Sequence, residues 1–318
     1  MRALVTGAAG FVGSHLAEHL VSEGHEVRAV DALTPYYVVA LKRENWEAVG
    51  RAGCELVSAD LRTAELGPLL EGIDVVFHQS GQPGVRSSWD AGFGSYVEQN
   101  VLVTQRLLEA IRGGSVERFV YASSSSIYGN ALAYPVSEDD LPRPQSPYGV
   151  TKLAAEHLCG VYARTFGVPT VSLRYFTVYG PRQRPDMAMH RLIEAALSGR
   201  SFPMYGNGRQ IRDFTFVGDV ARANVLAATA PVRAGEVINV AGGSSTSLLE
   251  VVETIEELVG RPVQLDRQGP QAGDVERTGG SIERAHELLR WTPSVSLGEG
   301  LSLQLAWHRA RRAATVAA

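Results

Sequence analysis

Tyr148 and Lys152 stand four residues apart in Ser146-Pro147-Tyr148-Gly149-Val150-Thr151-Lys152. Residues at i and i+4 share one face of a helix, so the ammonium can be held beside the phenol. A free tyrosine has a pKa of about 10, and a base that works near pH 7 needs roughly three units less. That shift corresponds to about 4 kcal/mol of preferential stabilisation of the phenolate, within reach of a fixed Lys⁺ joined by a second cation. The glycine-rich turn at the N-terminus strengthens this reading, because an oxidised nicotinamide held there would be that second cation.

The N-terminus carries a turn fit to hold that nicotinamide. Ala3-Leu4-Val5 is a short apolar strand running into Thr6-Gly7-Ala8-Ala9-Gly10-Phe11-Val12-Gly13, after which Val12, Leu16, Leu20 and Val21 recur at helical spacing. In a dinucleotide turn Gly7 allows the reversal, Gly10 the approach of a pyrophosphate and Gly13 the packing of helix on strand. Phe11 and Val12 open the helix whose N-terminus faces the anion. The next strand, Glu26-Val27-Arg28-Ala29-Val30, ends at Asp31, where a Rossmann fold places the acid that binds the adenosine ribose. That carboxylate repels a 2′-phosphate, Arg28 lies inside the strand and Ala32-Leu33 offers no basic clamp, so the cofactor is read as NAD rather than NADP.

The elements that must position these residues alternate through the first half. Strand-like runs recur at 55–59, 74–78, 118–122 and 170–174, with helices fitting between them, notably 96–112 and 148–166. The pattern predicts an α/β fold with a doubly wound parallel Rossmann sheet, ligands lying at the carboxyl ends of the strands. Gly7, Asp31, Asp60, Ser80, Ser123 and Thr177 all fall at that edge. Beyond about residue 176 the pattern turns irregular, although Ser247-Leu248-Leu249-Glu250 is a capping box and 236–240 reads as a strand returning to the first sheet. The expected division is 1–175 plus about 213–240 for the dinucleotide, and about 176–212 plus 241–318 for a smaller, discontinuous α/β substrate lobe.

Composition narrows the partners. The 318 residues, 45% hydrophobic, are ample for two lobes around one cleft. A net charge of −4 argues against nucleic acid. The cationic run Arg309-Ala310-Arg311-Arg312 is read as the end of a C-terminal helix. Cys54 and Cys159 form no metal-ligand spacing, so no metal is expected, and they point to a reducing compartment. With strand one beginning at residue 2 or 3 and no apolar run near the ~20 residues of a membrane span, a cytoplasmic protein is expected.

The chain resembles the extended short-chain dehydrogenase/reductase family, and within it the nucleotide-sugar 4-epimerases, over essentially its whole length. The carriers are Thr6-Gly-x-x-Gly-x-x-Gly13, the serine-rich run from Ser123 to Gly129, Tyr148-x-x-x-Lys152, the segment from Arg174 to Arg182, and Arg212-Asp213-Phe214. The resemblance implies that Ser124 bonds the sugar 4-oxygen, that Tyr148 and Lys152 are catalytic beside it, and that the 4-keto sugar rotates before hydride returns. It also implies cofactor contacts from Asp60 and Leu61, Ser80, Asn100, Ser123, Tyr175 and Phe176, although Asn100 also suits a helix turn and Phe176 a core. Relatives that eliminate water place Asp and Glu where this chain has Ser125 and Ser126, and decarboxylating relatives usually keep the Glu. Epimerisation is what remains, with both serines facing substrate.

Thr177 followed by Pro181-Arg182-Gln183-Arg184-Pro185-Asp186-Met187 resembles the UDP-glucuronate 4-epimerases. Arg184 then holds the sugar carboxylate with Thr177 as a hydroxyl donor, since a 4-keto glucuronate is a β-keto acid poised to lose CO₂. Arg86 is a second candidate for substrate anions, while Arg212, Arg277 and, more loosely, Arg182 match diphosphate-binding arginines; Tyr205 closes a segment that matches a pyrimidine site. A UDP-glucose/galactose-type epimerase, a UDP-glucuronate decarboxylase and a non-catalytic NAD sensor are the competing readings. The helices at 96–112 and 148–166 resemble those of an intersubunit four-helix bundle, so a homodimer is expected. Gln79, Gly218 and Ser281 depart from the family pattern.

Overall fold

The computed structural model describes residues 1–317. β1 (Arg2–Thr6), β2 (Glu26–Asp31), β3 (Glu55–Ser58), β4 (Val75–His78), β5 (Arg118–Ser124) and β6 (Thr170–Tyr175) follow one another along the chain. β7 (Thr177–Tyr179), β8 (Phe202–Tyr205), β9 (Ile211–Arg212) and β10 (Phe214–Phe216) belong to small two-stranded sheets, and β11 (Glu236–Val240) returns to the large one. The large sheet has the order β3-β2-β1-β4-β5-β6-β11, every pair parallel. The order reverses between β1 and β4, which opens a crevice at their carboxyl ends.

Side-chain alternation decides the layers. Ala3, Val5, Val27, Ala29, Val75 and Phe77 point into one core, while Leu4, Val30, Val76, Phe119 and Tyr121 point into another. On the first face lie α1 (Phe11–Ser22) and α2 (Val39–Arg51). The second takes Leu69 from α3 (Gly67–Leu70) and, past the short α4 (Phe93–Tyr96) outside this core, is covered mainly by α5 (Val103–Ile111) and α6 (Pro147–Phe166). α7 (Ala188–Ser198) belongs to a third core with Tyr179, Phe202, Met204 and Phe214, whereas α8 (Val217–Thr229) returns to the first. The third core also takes α9 (Leu248–Val259), which opens with both bonds of the expected Ser247–Glu250 capping box. α10 (Glu283–Leu289) packs in the first core, where Ala285, Leu289 and Trp291 are buried. β12 (Thr246–Ser247) pairs with β9, and β13 (Leu265–Gln268) with β8, completing the small two-stranded sheets.

Two elements differ from expectation. The helix read over 96–112 contains a π-helical segment, Val97–Leu102, between α4 and α5. The extra residue per turn accompanies a buried Asn100 bonded across to Gln82 and Thr151, a local arrangement that periodicity does not reveal. α11 (Leu297–Ala317) continues past the cationic run that was read as its end. There Arg311 pairs with Glu44 and Arg312 with Glu194, so carboxylates of other elements explain these charges better than the helix terminus does.

Candidate active site

Gly7 opens the site at φ +70°, and a Cβ there would stand 2.8 Å from the Ser80 backbone. A Cβ on Gly13 would stand 2.2 Å from the Gly7 carbonyl, so only glycine lets α1 pack this close to the turn. The turn is pinned from below by Asp31, which accepts from the Ala9 N–H at 3.1 Å and the Leu33 N–H at 2.7 Å. Beneath it His78 is fully buried, and burial pushes its pKa down to about 3, leaving the ring neutral. Thr104 already donates to the Asn100 carbonyl, so it accepts from His78 Nε2 at 3.0 Å. Nδ1 is then the acceptor facing Thr6 Oγ1 at 2.9 Å and Ser80 Oγ at 3.3 Å.

Ser123 and Ser124 end β5 with opposite duties. Ser123 donates to Glu156 at 2.6 Å, and Glu156 is held by a bidentate, buried Arg174 at 3.0 and 2.7 Å. Ser124 instead accepts from the Ser126 N–H at 3.1 Å and faces the Tyr148 phenol. Tyr148 and Lys152 occupy the first turns of α6, which starts at Pro147 behind the N-cap Ser146 and stops at the left-handed Gly167. Asn100 fastens the facing loop to this helix through Gln82 and Thr151.

The electrostatics correct the simple expectation for Tyr148. Burial raises its pKa above the ordinary value, while Ser124 and then Arg184 pull it down. Lys152 is buried over the Tyr121 ring, 4.7 Å from its centroid, and burial lowers its pKa to about 8 against the opposing pull of Cys159 and Glu156. The cation with a resolved pull on the phenol is Arg184, brought from a loop more than thirty residues downstream.

The glycine turn, Ser124, Tyr148, Lys152 and Arg184 line one cleft of about 780 Å³. Its wall includes Gly7, Gly10, Phe11, Val12, Gly13, Asp31, Asp60, Leu61, Ser80 and Asn100, then Ser123 to Ser126, Tyr148, Lys152, Tyr175, Phe176 and Thr177. Arg86, Arg184, Tyr205 and Arg212 also line it. Asp60 is engaged by Arg62 at 2.7 Å, which holds its carboxyl below the usual range. Phe176 is both cleft wall and core, buried against Tyr128 with ring centroids 6.2 Å apart. Arg184 pairs with Asp186 at 3.0 and 2.8 Å, and Arg86 with Asp274 at 2.9 Å while stacking 4.1 Å over Tyr205. Arg212 is tied to the carbonyls of Ile211 and Val275.

Two expected arginines lie outside this wall. Arg182, at φ +62°, turns away to Glu18 at 2.9 Å, and Arg277 stacks 4.8 Å over Tyr134.

The comparisons with known proteins agree with this geometry. Residues 3–241 match the family model described as the NAD dependent epimerase/dehydratase family. The chain belongs to that family. It is 44% identical over 309 residues to the uncharacterized UDP-glucose epimerase YtcB of Bacillus subtilis, covering 96% of this chain and 98% of that protein. It is 35% identical over 312 residues to a UDP-glucuronate 4-epimerase of Thermodesulfobacterium geofontis, covering 96% and 95%. Among solved structures, the UDP-glucuronic acid 4-epimerase of Bacillus cereus in complex with UDP-glucuronic acid and NAD superposes with a TM-score of 0.95 at 41% identity, covering 98% and 100%.

Some cleft residues of this epimerase/dehydratase chain escape a sequence reading. Lys42 is buried near Asp31, donates to Thr34 at 3.1 Å and sits 5.1 Å from the Tyr37 ring centroid. Its one legible signal is a cation in the first turns of α2, where the helix dipole disfavours it. Gln79, a departure from the family pattern, bonds Asn224 at 2.9 Å and receives Tyr175 at 3.1 Å, joining the cleft floor to α8. Gly218 and Ser281 do not line the cleft. Away from the cleft, His190, Glu194 and His308 bring ligand-type atoms within 4.8 Å of one another, with Glu194 also paired to Arg312.

Proposed function

We propose that this chain is an NAD-dependent nucleotide-sugar 4-epimerase, an isomerase that interconverts UDP-glucuronate and UDP-galacturonate through a 4-keto sugar. The observation that carries it is the meeting of Ser124, Tyr148 and Lys152 with the glycine turn in one cleft that also presents Thr177 and Arg184. NAD⁺, when bound along the glycine turn, supplies the hydride acceptor and a positive charge beside the phenol. The fit rests on a turn that admits no Cβ at Gly7 or Gly13 and on the Asp31 carboxylate below it.

In the mechanism, Tyr148 takes the 4-hydroxyl proton as C4 is oxidised, and returns it after the sugar has turned its other face. Ser124 steadies the 4-oxygen, its neighbour Ser123 being committed to Glu156. Lys152 holds its ammonium in the buried floor over the Tyr121 ring, one helical turn from Tyr148. Ser125, Ser126 and Thr177 offer hydroxyls to the sugar, and Arg184 directs N–H groups at its carboxylate. With neither Asp nor Glu at 125 and 126, no side chain there drives elimination or decarboxylation.

The diphosphate and pyrimidine fall to Arg212, Arg86 and Tyr205, with Arg277 and Arg182 behind the wall. The lobes divide in this reading at 1–175 plus about 213–240 against the remainder, with α10 packed beneath the first. A homodimer is supported by exposed Leu102, Val150, Val161 and Phe166 on the helices expected to pair, and a cytoplasmic site by free, buried Cys54 and Cys159. No helix among the described residues is long and apolar enough to cross a membrane.

Incubation with UDP-glucuronate and NAD⁺, with chromatography of the sugar nucleotides, tests the assignment. UDP-galacturonate without pentose is expected. A UDP-pentose product identifies a decarboxylase instead, and epimerised UDP-glucose with untouched UDP-glucuronate removes the carboxylate clamp.

A further inference from the structure

The clamp arginine reaches the cleft already half engaged. Arg184 gives its Nε edge to Asp186, Nε to Oδ1 at 3.0 Å and Nη2 to Oδ2 at 2.8 Å. A guanidinium carries five N–H donors in one plane, and this side-on pairing uses two of them. The opposite end, Nη1 with the second Nη2 hydrogen, stays directed elsewhere, and the charge is felt at both Tyr36 and Tyr148. The pair is locally rigid. Pro185, with its fixed φ, separates the partners, and the Met187 N–H closes the turn on the Arg184 carbonyl at 3.1 Å. Both residues line the cleft, the arginine side chain 18% exposed and the aspartate 38%.

We propose that Asp186 is a positioning residue that sets the enzyme's substrate choice. It locks the Arg184 fork edge-on, so that the free end receives the sugar carboxylate in one orientation. This rests on the reading of Arg184 as the carboxylate clamp. It adds a second consequence, because the fixed orientation keeps the C5–carboxylate bond out of alignment with the C4 carbonyl. A loosened fork lets that bond rotate and break, its electron pair passing to the 4-oxygen as an enolate. CO₂ leaves and C5 takes a proton. The hydride removed from C4 is then recovered as one reduced nicotinamide for each CO₂, or as a UDP-pentose.

Asp186→Asn, Asp186→Glu and Arg184→Ala, each checked for NAD binding as a sign of intact folding, test this with three readouts. These are the KM for UDP-glucuronate, the affinity for UDP-glucose, and CO₂ released per turnover. For Asp186→Asn the expected result is a KM raised about five- to ten-fold, the scale of one partly exposed charge-assisted contact. Its UDP-glucose affinity stays unchanged and its CO₂ release rises, with Asp186→Glu recovering part of both losses. The proposal is overturned if Arg184→Ala weakens UDP-glucuronate while Asp186→Asn does not. It is equally overturned if Asp186→Asn tightens UDP-glucuronate, which makes the aspartate a competitor of the substrate. Should Arg184→Ala itself leave UDP-glucuronate untouched, the clamp reading fails and the Asp186 proposal fails with it.

Discussion

Two stretches of the cleft wall, which the proposed function makes its chemical end and its sugar end, are built from different materials. At the chemical end, Ser124 ends a central strand, Tyr148 and Lys152 ride the first turns of a capped helix, and the supporting Glu156–Arg174 pair is buried. At the sugar end, Arg184 stands on a loop and Arg86 on a single 3-10 turn, and each is met by a partly exposed carboxylate of the protein itself. The difference teaches where each property resides. Hydride chemistry needs fixed geometry and takes it from the sheet. Sugar choice needs a charge aimed at the sugar, and in this reading short irregular segments provide it by holding an arginine against a partly exposed carboxylate.

Substitutions at the chemical end are expected to lower rate whatever the sugar, and those at the other end to alter choice. The largest effect is expected from Tyr148→Phe, which removes the base and lowers kcat by about 10³- to 10⁴-fold while calorimetric NAD binding persists. Wild-type turnover in that variant removes the base from the account. Next comes Glu156→Ala, which strands the buried Arg174 charge and is expected to cost about 3–5 kcal/mol in urea unfolding. A loss below ~1 kcal/mol would put this pair in the same class as the loop pairs.

Ser124→Ala is expected to lower kcat about 10²-fold with little change in KM, because its hydrogen bond matters most as charge develops on the 4-oxygen. An unchanged kcat transfers the role to Ser125, since Ser123 is committed to Glu156. The last expectation concerns stability in acid rather than rate. Burial holds folded His15 at about 4 and folded His78 at about 3, both below the usual 6.5. Below pH 6.5 the unfolded chain therefore binds more protons, and stability falls by up to about 1.4 kcal/mol per pH unit for each ring. For His15 that loss ends near pH 4, and His15→Gln is expected to flatten the acid limb of a Tm–pH curve by its share.

The same contrast governs what could be read in the sequence. Apolar runs within 2–6, 26–31 and 75–78 gave the sheet, because a parallel strand covered on both faces is apolar at nearly every residue. The Tyr148–Lys152 spacing and the Ser247 capping box are local signals and reappear in place. Partnerships across the chain were not legible. Ser123 with Glu156, Asn100 with Gln82, and Lys42 near Asp31 depend on how distant elements pack. Arg182 and Arg277 show the converse, since a motif match fixes a residue's place in the chain but not the way its side chain turns.

One measurement addresses the central claim, that choice resides in the loop arginine and chemistry in the helix. In a Tyr148→Phe background, which prevents turnover, the affinities for UDP-glucuronate and UDP-glucose are compared by calorimetry with and without Arg184→Ala. The account predicts that the glucuronate-over-glucose ratio falls about ten-fold, the scale of one charge-assisted contact, entirely through UDP-glucuronate. Equal losses for both sugars, or none for either, would contradict it.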